Sequence, residues 1–138
     1  MIRRLLITDY KNLSNLLKQL TECPDLDKQI FEQQFEKLNK NDFHIVMEKE
    51  GKLVGYGCII IDYKFYRNCK NVGHIEDIVV DKEERGKGFA GMIINSLIEY
   101  GKKHNCYKFV LTCRDEYIDF YRKYGFDNKN NNMNRYIN

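Results

Sequence analysis

Apolar positions along the chain repeat with two periods, and each change of period marks a predicted element. Ile2 to Ile7 has the character of a first strand, and Asp9 stands where it can cap a helix whose apolar residues Leu13, Leu16, Leu17 and Leu20 recur at helical spacing until Pro24 ends it. Asp25 or Asp27 can cap a second helix with Ile30, Phe31, Phe35 and Leu38 on one face, running out into Asn39-Lys40-Asn41. The period then shortens. Phe43 to Glu48 and Leu53 to Asp62 are rich in Ile, Val and aromatics and flank Glu50-Gly51-Lys52, a hairpin signal. His74 to Val80 predicts a further strand in the middle of a sheet. After a Gly-rich junction, Phe89, Met92, Ile93, Leu97 and Ile98 return to helical spacing as far as Lys103. Tyr107 to Cys113 predicts a buried strand, Glu116 to Tyr124 a short helix closed by Gly125, and Met133 to Ile137 a last short strand.

This order of strands and helices implies an α+β (α/β) domain with a mixed sheet covered by helices. The length, 138 residues, suits one domain, and neither a linker nor an internal repeat divides it; the one low-complexity stretch is the polar Asn128 to Asn132. A 43% hydrophobic fraction excludes a disordered chain, and 23 basic against 20 acidic residues leaves too small a net charge to make nucleic acid the main partner. No apolar run reaches the roughly 20 residues of a membrane span, and Asp9 interrupts the apolar start before a signal region develops. The expected location is the cytoplasm. Five cysteines (Cys23, Cys58, Cys69, Cys106, Cys113) form an odd set without metal-ligand spacing, so free thiols are expected, with Cys58, Cys106 and Cys113 beside apolar residues filling space, and no metal.

Two segments carry chemistry. Where a strand runs into Arg85-Gly86-Lys87-Gly88-Phe89-Ala90-Gly91 and then a helix, unpaired backbone N–H groups and the positive end of the helix dipole meet at one spot, with Arg85 and Lys87 adding charge. Such a spot suits a phosphate, although glycines before a helix also make ordinary turns. In the preceding strand, Glu76 and Asp77 interrupt an apolar run, and an unused buried carboxylate is costly. Strand alternation predicts that they face opposite sides of the sheet.

The run from Val79 to Ala90 resembles the acetyl-CoA signature of the GCN5-related N-acetyltransferases (GNAT), Arg/Gln-x-x-Gly-x-Gly/Ala, and Phe120-Tyr121-Arg122-Lys123-Tyr124-Gly125-Phe126 resembles that family's late helix-to-strand motif. Gly73 to Val80, with Cys106-Tyr107-Lys108 and Leu111-Thr112-Cys113, is similar to the glucosamine-6-phosphate N-acetyltransferases within it; the likeness is strongest between residues 53 and 126. The resemblance implies a sheet that is mostly antiparallel and splayed at the acetyl-CoA site. It also implies direct acetyl transfer to the sugar amine in a ternary complex, on the way to UDP-N-acetylglucosamine.

Under this resemblance, acetyl-CoA would lie along Ile78, Val79 and Val80, with its pyrophosphate on Arg85, Gly86, Lys87, Gly88, Phe89, Ala90 and Gly91 and the Ile78 N–H on the thioester oxygen. Glu76 would handle the amine and Tyr121 would protonate the departing sulfur. Thr21, Lys64, Phe65, Tyr66, Arg67, Glu76, Asp77, Ile78, Thr112 and Arg135 fall where the resemblance implies contacts to the phosphosugar, Arg135 from the other subunit of an expected homodimer. Two positions depart from the subfamily pattern: Thr112 replaces a carboxylate, and Tyr117 an Asn. Two alternatives are a related acetyltransferase for a protein N-terminus, lysine or polyamine, and a silent acyl-CoA-binding module.

Overall fold

Glu50 (φ 52°) and Gly51 (φ 76°) adopt the left-handed conformation that a two-residue hairpin turn requires, and they join β2 (Phe43–Lys49) to β3 (Lys52–Asp62). In the computed structural model, which describes residues 1–137, this hairpin is the middle of one five-stranded sheet. β1 (Ile2–Arg4) pairs antiparallel with β2, β3 pairs antiparallel with β4 (Asn71–Val80), and β5 (Cys106–Val110) runs parallel to β4 at the edge. The mixed, mostly antiparallel sheet is the one expected.

Helices cover both faces. On one side α1 (Tyr10–Leu17) buries Leu13 and Leu16 against Val46, Leu53, Tyr56, Cys58 and Val79, and α2 (Lys28–Glu36) adds Phe31 and Phe35. Asp27 caps α2 by accepting from the Ile30 N–H at 3.0 Å. On the other side α4 (Phe89–Lys103) sets Ile93 and Leu97, both fully buried, on Ile45, Met47, Ile59 and Ile75. Each such side chain contributes about 1.5–3 kcal/mol of burial. The inward stripe of α4 includes Ile94, whereas Met92, expected inside, is half exposed.

Several boundaries differ from the sequence expectation for local reasons. β1 stops at Arg4 and the chain turns through a 3-10 segment, Ile7–Asp9. The Asp9 carboxylate does not cap α1; it accepts from the Leu6 N–H (2.8 Å) and pairs with the Arg3 guanidinium (2.8 Å). A one-turn element α3 (Tyr66–Cys69) is interrupted by left-handed Arg67 and Asn68. β5 ends at Val110, leaving Leu111 to Cys113 outside the sheet, and the last helix, α5, is Ile118–Arg122 behind a 3-10 turn, Asp115–Tyr117. The strand expected over Met133 to Ile137 does not form: these residues are exposed and pair with no other strand among the described residues. Among the described residues no helix is long and apolar enough to cross a membrane.

Candidate active site

The parallel β4–β5 ladder extends only from Asn71 to His74, so beyond His74 the β5-facing edge of β4 has no strand partner. The Asp81 N–H donates to the Val54 carbonyl (2.8 Å), which turns residue 81 toward β3. Alternation along an antiparallel strand then turns the N–H and C=O groups of Val80 and Ile78 the other way, into the open edge. The Val80 carbonyl is met there by Arg85 Nε at 3.2 Å. This edge can receive an extended, amide-bearing chain by backbone pairing.

At the end of that edge lies the Gly-rich loop. Gly86 (φ 80°) and Gly88 (φ 83°) are both left-handed, and Gly88 starts α4 with no side-chain cap, which leaves the first N–H groups of a 15-residue helix to an outside acceptor. A Cβ at either glycine would meet nothing within 4 Å, so backbone conformation selects glycine here and the approach to the loop is open. Lys87 Nζ is held by Glu84 at 2.7 Å, which also binds Lys49. The loop therefore offers backbone donors and the exposed Arg85 and Lys87 side chains, a fit for a pyrophosphate.

The acid pair departs from the expected alternation. Asp77 is left-handed (φ 58°), and the β3–β4 register shifts so that Asp77 and Ile78 together oppose Gly57. This is a β-bulge, and it flips the phase of the strand. Ile75 and Ile78 both pack toward α4, while Glu76 lies opposite Cys58, a member of the core under α1. Asp77 acts electrostatically on Tyr56, Cys58 and His44, which belong to the same side. Glu76 and Asp77 thus share the α1 face, correcting the expectation of opposite faces. Both side chains are exposed, which corrects the reading of a buried acid pair; partial desolvation first, and the Asp77 charge second, raise the Glu76 pKa above the ordinary carboxylate value.

Tyr121 is half-buried against Phe120 and Phe126, with ring centroids 5.0 and 6.0 Å away. Desolvation pushes its hydroxyl pKa up to about 12, so it carries its proton throughout the neutral range. Burial and then Asp115 raise the Cys113 thiol, which leaves this cysteine a poor nucleophile. Thr112 is exposed, and its hydroxyl faces Asn132 Oδ1 at 3.5 Å.

The remaining candidates are spread over separate exposed segments. Thr21 follows α1, and Arg135 stands in the C-terminal tail with Met133, Tyr136 and Ile137 nearly wholly exposed around it. Lys64 is paired with Asp62 (2.8 Å), which also holds His74 Nε2 (3.0 Å). Phe65 is 94% exposed, Tyr66 meets Tyr107 edge-on, and the Arg67 guanidinium sits 4.8 Å from the Tyr107 ring centre. Three residues missed in the sequence stand near the acids or the loop. His44 Nδ1 and the Tyr56 hydroxyl are 2.7 Å apart behind Asp77, and Asp81 is buried at the loop's stem. Only the register and the turn reveal them.

Comparison with known proteins follows the same lines. Residues 8–126 match the model of the acetyltransferase (GNAT) family. This chain belongs to the GNAT family. Within it, the chain is similar to the glucosamine 6-phosphate N-acetyltransferase of Arabidopsis thaliana, 37% identical over 99% of this chain and 95% of that protein. It is also similar to glucosamine 6-phosphate N-acetyltransferase 1 of Oryza sativa subsp. japonica, 36% identical over 99% and 86% of the two chains. The crystal structure of the Arabidopsis glucosamine-6-phosphate N-acetyltransferase superposes with a TM-score of 0.95, covering 100% of this chain and 98% of that one at 37% identity. The GNAT family uses acetyl-CoA as its acyl donor.

Proposed function

We propose that this GNAT acyltransferase moves the acetyl group of acetyl-CoA to the 2-amino group of D-glucosamine 6-phosphate, by direct transfer in a ternary complex. The observation that carries the reading is the bulge at Asp77. It sets two carboxylates side by side next to the open edge of β4, in a chain alike over nearly its whole length to proteins named for this reaction.

Each role follows from a local property. Ile78 presents its N–H to the open edge, where it stabilises the oxyanion that forms as the amine attacks the thioester carbon. Glu76, with its raised pKa, holds the amine with Asp77 and accepts its proton through water; a sugar amine is less basic than a lysine and needs only weak assistance. As the C–N bond forms and the C–S bond breaks, Tyr121 gives its proton to the departing thiolate. This division of labour does not need a carboxylate at Thr112. Ile78, Val79 and Val80 hold the pantetheine arm, and Arg85 to Gly91 hold the pyrophosphate.

For the sugar phosphate the exposed cations Lys64, Arg67 and Arg135 and the Thr21 hydroxyl are the candidate contacts. Arg135 stands on a tail whose Met133, Tyr136 and Ile137 are bare in one copy, a surface suited to a second copy of the chain. We therefore assign a homodimer in which Arg135 serves the partner's site, working in the cytoplasm on the way to UDP-N-acetylglucosamine.

The test is free-thiol release from acetyl-CoA with glucosamine 6-phosphate, run beside glucosamine, a peptide amine and spermidine at equal concentrations. Turnover is expected with the phosphosugar alone. Preference for the peptide or spermidine would move the substrate to another amine, and acetyl-CoA binding without any turnover would make the chain a silent acyl-CoA module.

A further inference from the structure

The loop that receives acetyl-CoA is anchored at its stem by contacts that reach across the molecule to α1. Asp81, the first residue after β4, has a side chain only 5% exposed. Its Oδ1 accepts from the Glu83 N–H (3.0 Å) and from Gln19 Nε2 (3.5 Å), and its Oδ2 pairs with Lys52 Nζ (3.0 Å). The other end of the Gln19 amide, Oε1, accepts from the Lys82 N–H at 2.8 Å. One amide thus spans two consecutive residues of the turn that leads into Arg85. Glu84 closes the same turn by accepting from Lys49 and from Lys87, the loop's own lysine.

The position of Gln19 gives these bonds a functional meaning. It is the second residue beyond α1 and immediately precedes Leu20 and Thr21, the segment assigned to the sugar phosphate. Gln19, Lys52 and Asp81 line a cleft of about 280 Å³ together with Asn12 and Asn15 of α1. A turn held at both ends of one side chain transmits displacement, since neither end can shift without breaking a hydrogen bond.

We propose that Gln19 and Asp81 are positioning residues that couple the two substrate sites. Gln19 ties the stem of the Arg85–Gly91 loop to the Leu20–Thr21 segment, so that occupancy of the loop by the acyl donor raises affinity for the sugar phosphate. The inference rests on the proposed function, and linkage makes it reciprocal: the sugar phosphate must tighten binding of the coenzyme by the same factor.

The experiment is calorimetric titration of coenzyme A into the full-length protein, with and without saturating glucosamine 6-phosphate, for wild type, Gln19→Leu and Asn12→Ala. Wild type is expected to bind coenzyme A at least about five-fold more tightly with the sugar present. Gln19→Leu, close in size but unable to form either bond, is expected to reduce that ratio below about two-fold while the thermal midpoint stays near wild type. Asn12→Ala lines the same cleft without touching the turn, and its ratio should match wild type. Asp81→Asn keeps the bond from the Glu83 N–H but loses the Lys52 ion pair, and an intermediate ratio is expected. An unchanged ratio in Gln19→Leu overturns the coupling, as does a wild type that binds coenzyme A with no response to the sugar; both leave the acetyl-CoA reading standing. Wild type that binds no coenzyme A removes that reading and the coupling together.

Discussion

Replacing Gly57 by alanine puts a methyl group at the point where the bulge of β4 rests on β3. A Cβ there would lie 2.6 Å from Ile78 Cδ1 and 2.8 Å from Ile93 Cγ2, well inside van der Waals contact. Ile93, on α4, is fully buried and cannot retreat, so the half-buried Ile78 side chain must give way, and a shift that reaches its backbone displaces the N–H proposed for the thioester oxygen. Overpacking of this kind costs about 1–3 kcal/mol. With an unfolding entropy of roughly 2.1 cal/mol/K per residue, that loss corresponds to a fall in Tm of roughly 3–10 °C for a chain of this size. The catalytic effect is expected to be larger than the stability effect suggests, because misplacing a reacting group by about 1 Å can cost ~100-fold in rate. Differential scanning calorimetry and the thiol-release assay would be run on the same preparation, with Gly57→Ala/Ile78→Val alongside. The second change removes the δ-methyl that the new Cβ would strike, and part of the lost kcat should return. A Gly57→Ala protein with wild-type kcat and wild-type Tm would refute the argument that this glycine sets the bulge. Lowered Tm with unaltered kcat would refute the role assigned to the Ile78 N–H.

Three further outcomes follow from the same geometry. Tyr121→Phe is expected to lower kcat by about 100-fold, the scale of general acid assistance, while coenzyme A affinity stays within two-fold; an unaffected kcat would remove the proton donor. Removing the Asp77 charge lowers the Glu76 pKa, so the acid limb of the kcat/KM pH profile of Asp77→Asn should move to lower pH, measured above whatever activity survives; a shift upward would contradict the assignment of Glu76 as the base. Asp9 has its pKa lowered, chiefly by the hydrogen bond from Arg3, so its stabilisation is present above the unfolded carboxyl's pKa and is lost as pH falls through the folded value. Urea unfolding should therefore show wild type losing its advantage over Asp9→Asn, about 1–3 kcal/mol at neutral pH, as the solution is brought below about pH 4.

Much of the fold follows from local signals whose physics acts over a few residues. The Glu50-Gly51 turn, the Asp27 cap, the glycines before α4 and the long apolar stripe of that helix each state their conformation in the residue types themselves, because φ preference, capping and burial period are short-range properties. The Gly-rich loop and the Phe120-to-Phe126 run stood out for the same reason: each is a contiguous motif. What could not be read is everything that depends on strand register. The bulge at Asp77 places Glu76 and Asp77 on one face, and nothing in the run Ile75-Glu76-Asp77-Ile78 announces a left-handed residue; it arises because Gly57, some twenty residues earlier, opposes two residues instead of one. The Arg3–Asp9 pair, the His44–Tyr56 contact and the Gln19–Asp81 tie likewise join distant segments whose partners are chosen by packing. The expected last strand failed for the converse reason, since an apolar alternation in the tail becomes a strand only where a sheet edge accepts it. The sequence alone determined most of the helices and strands and the motifs that lie on them; tertiary structure decided where those elements end and which side chains meet, because register and packing are properties of the whole sheet.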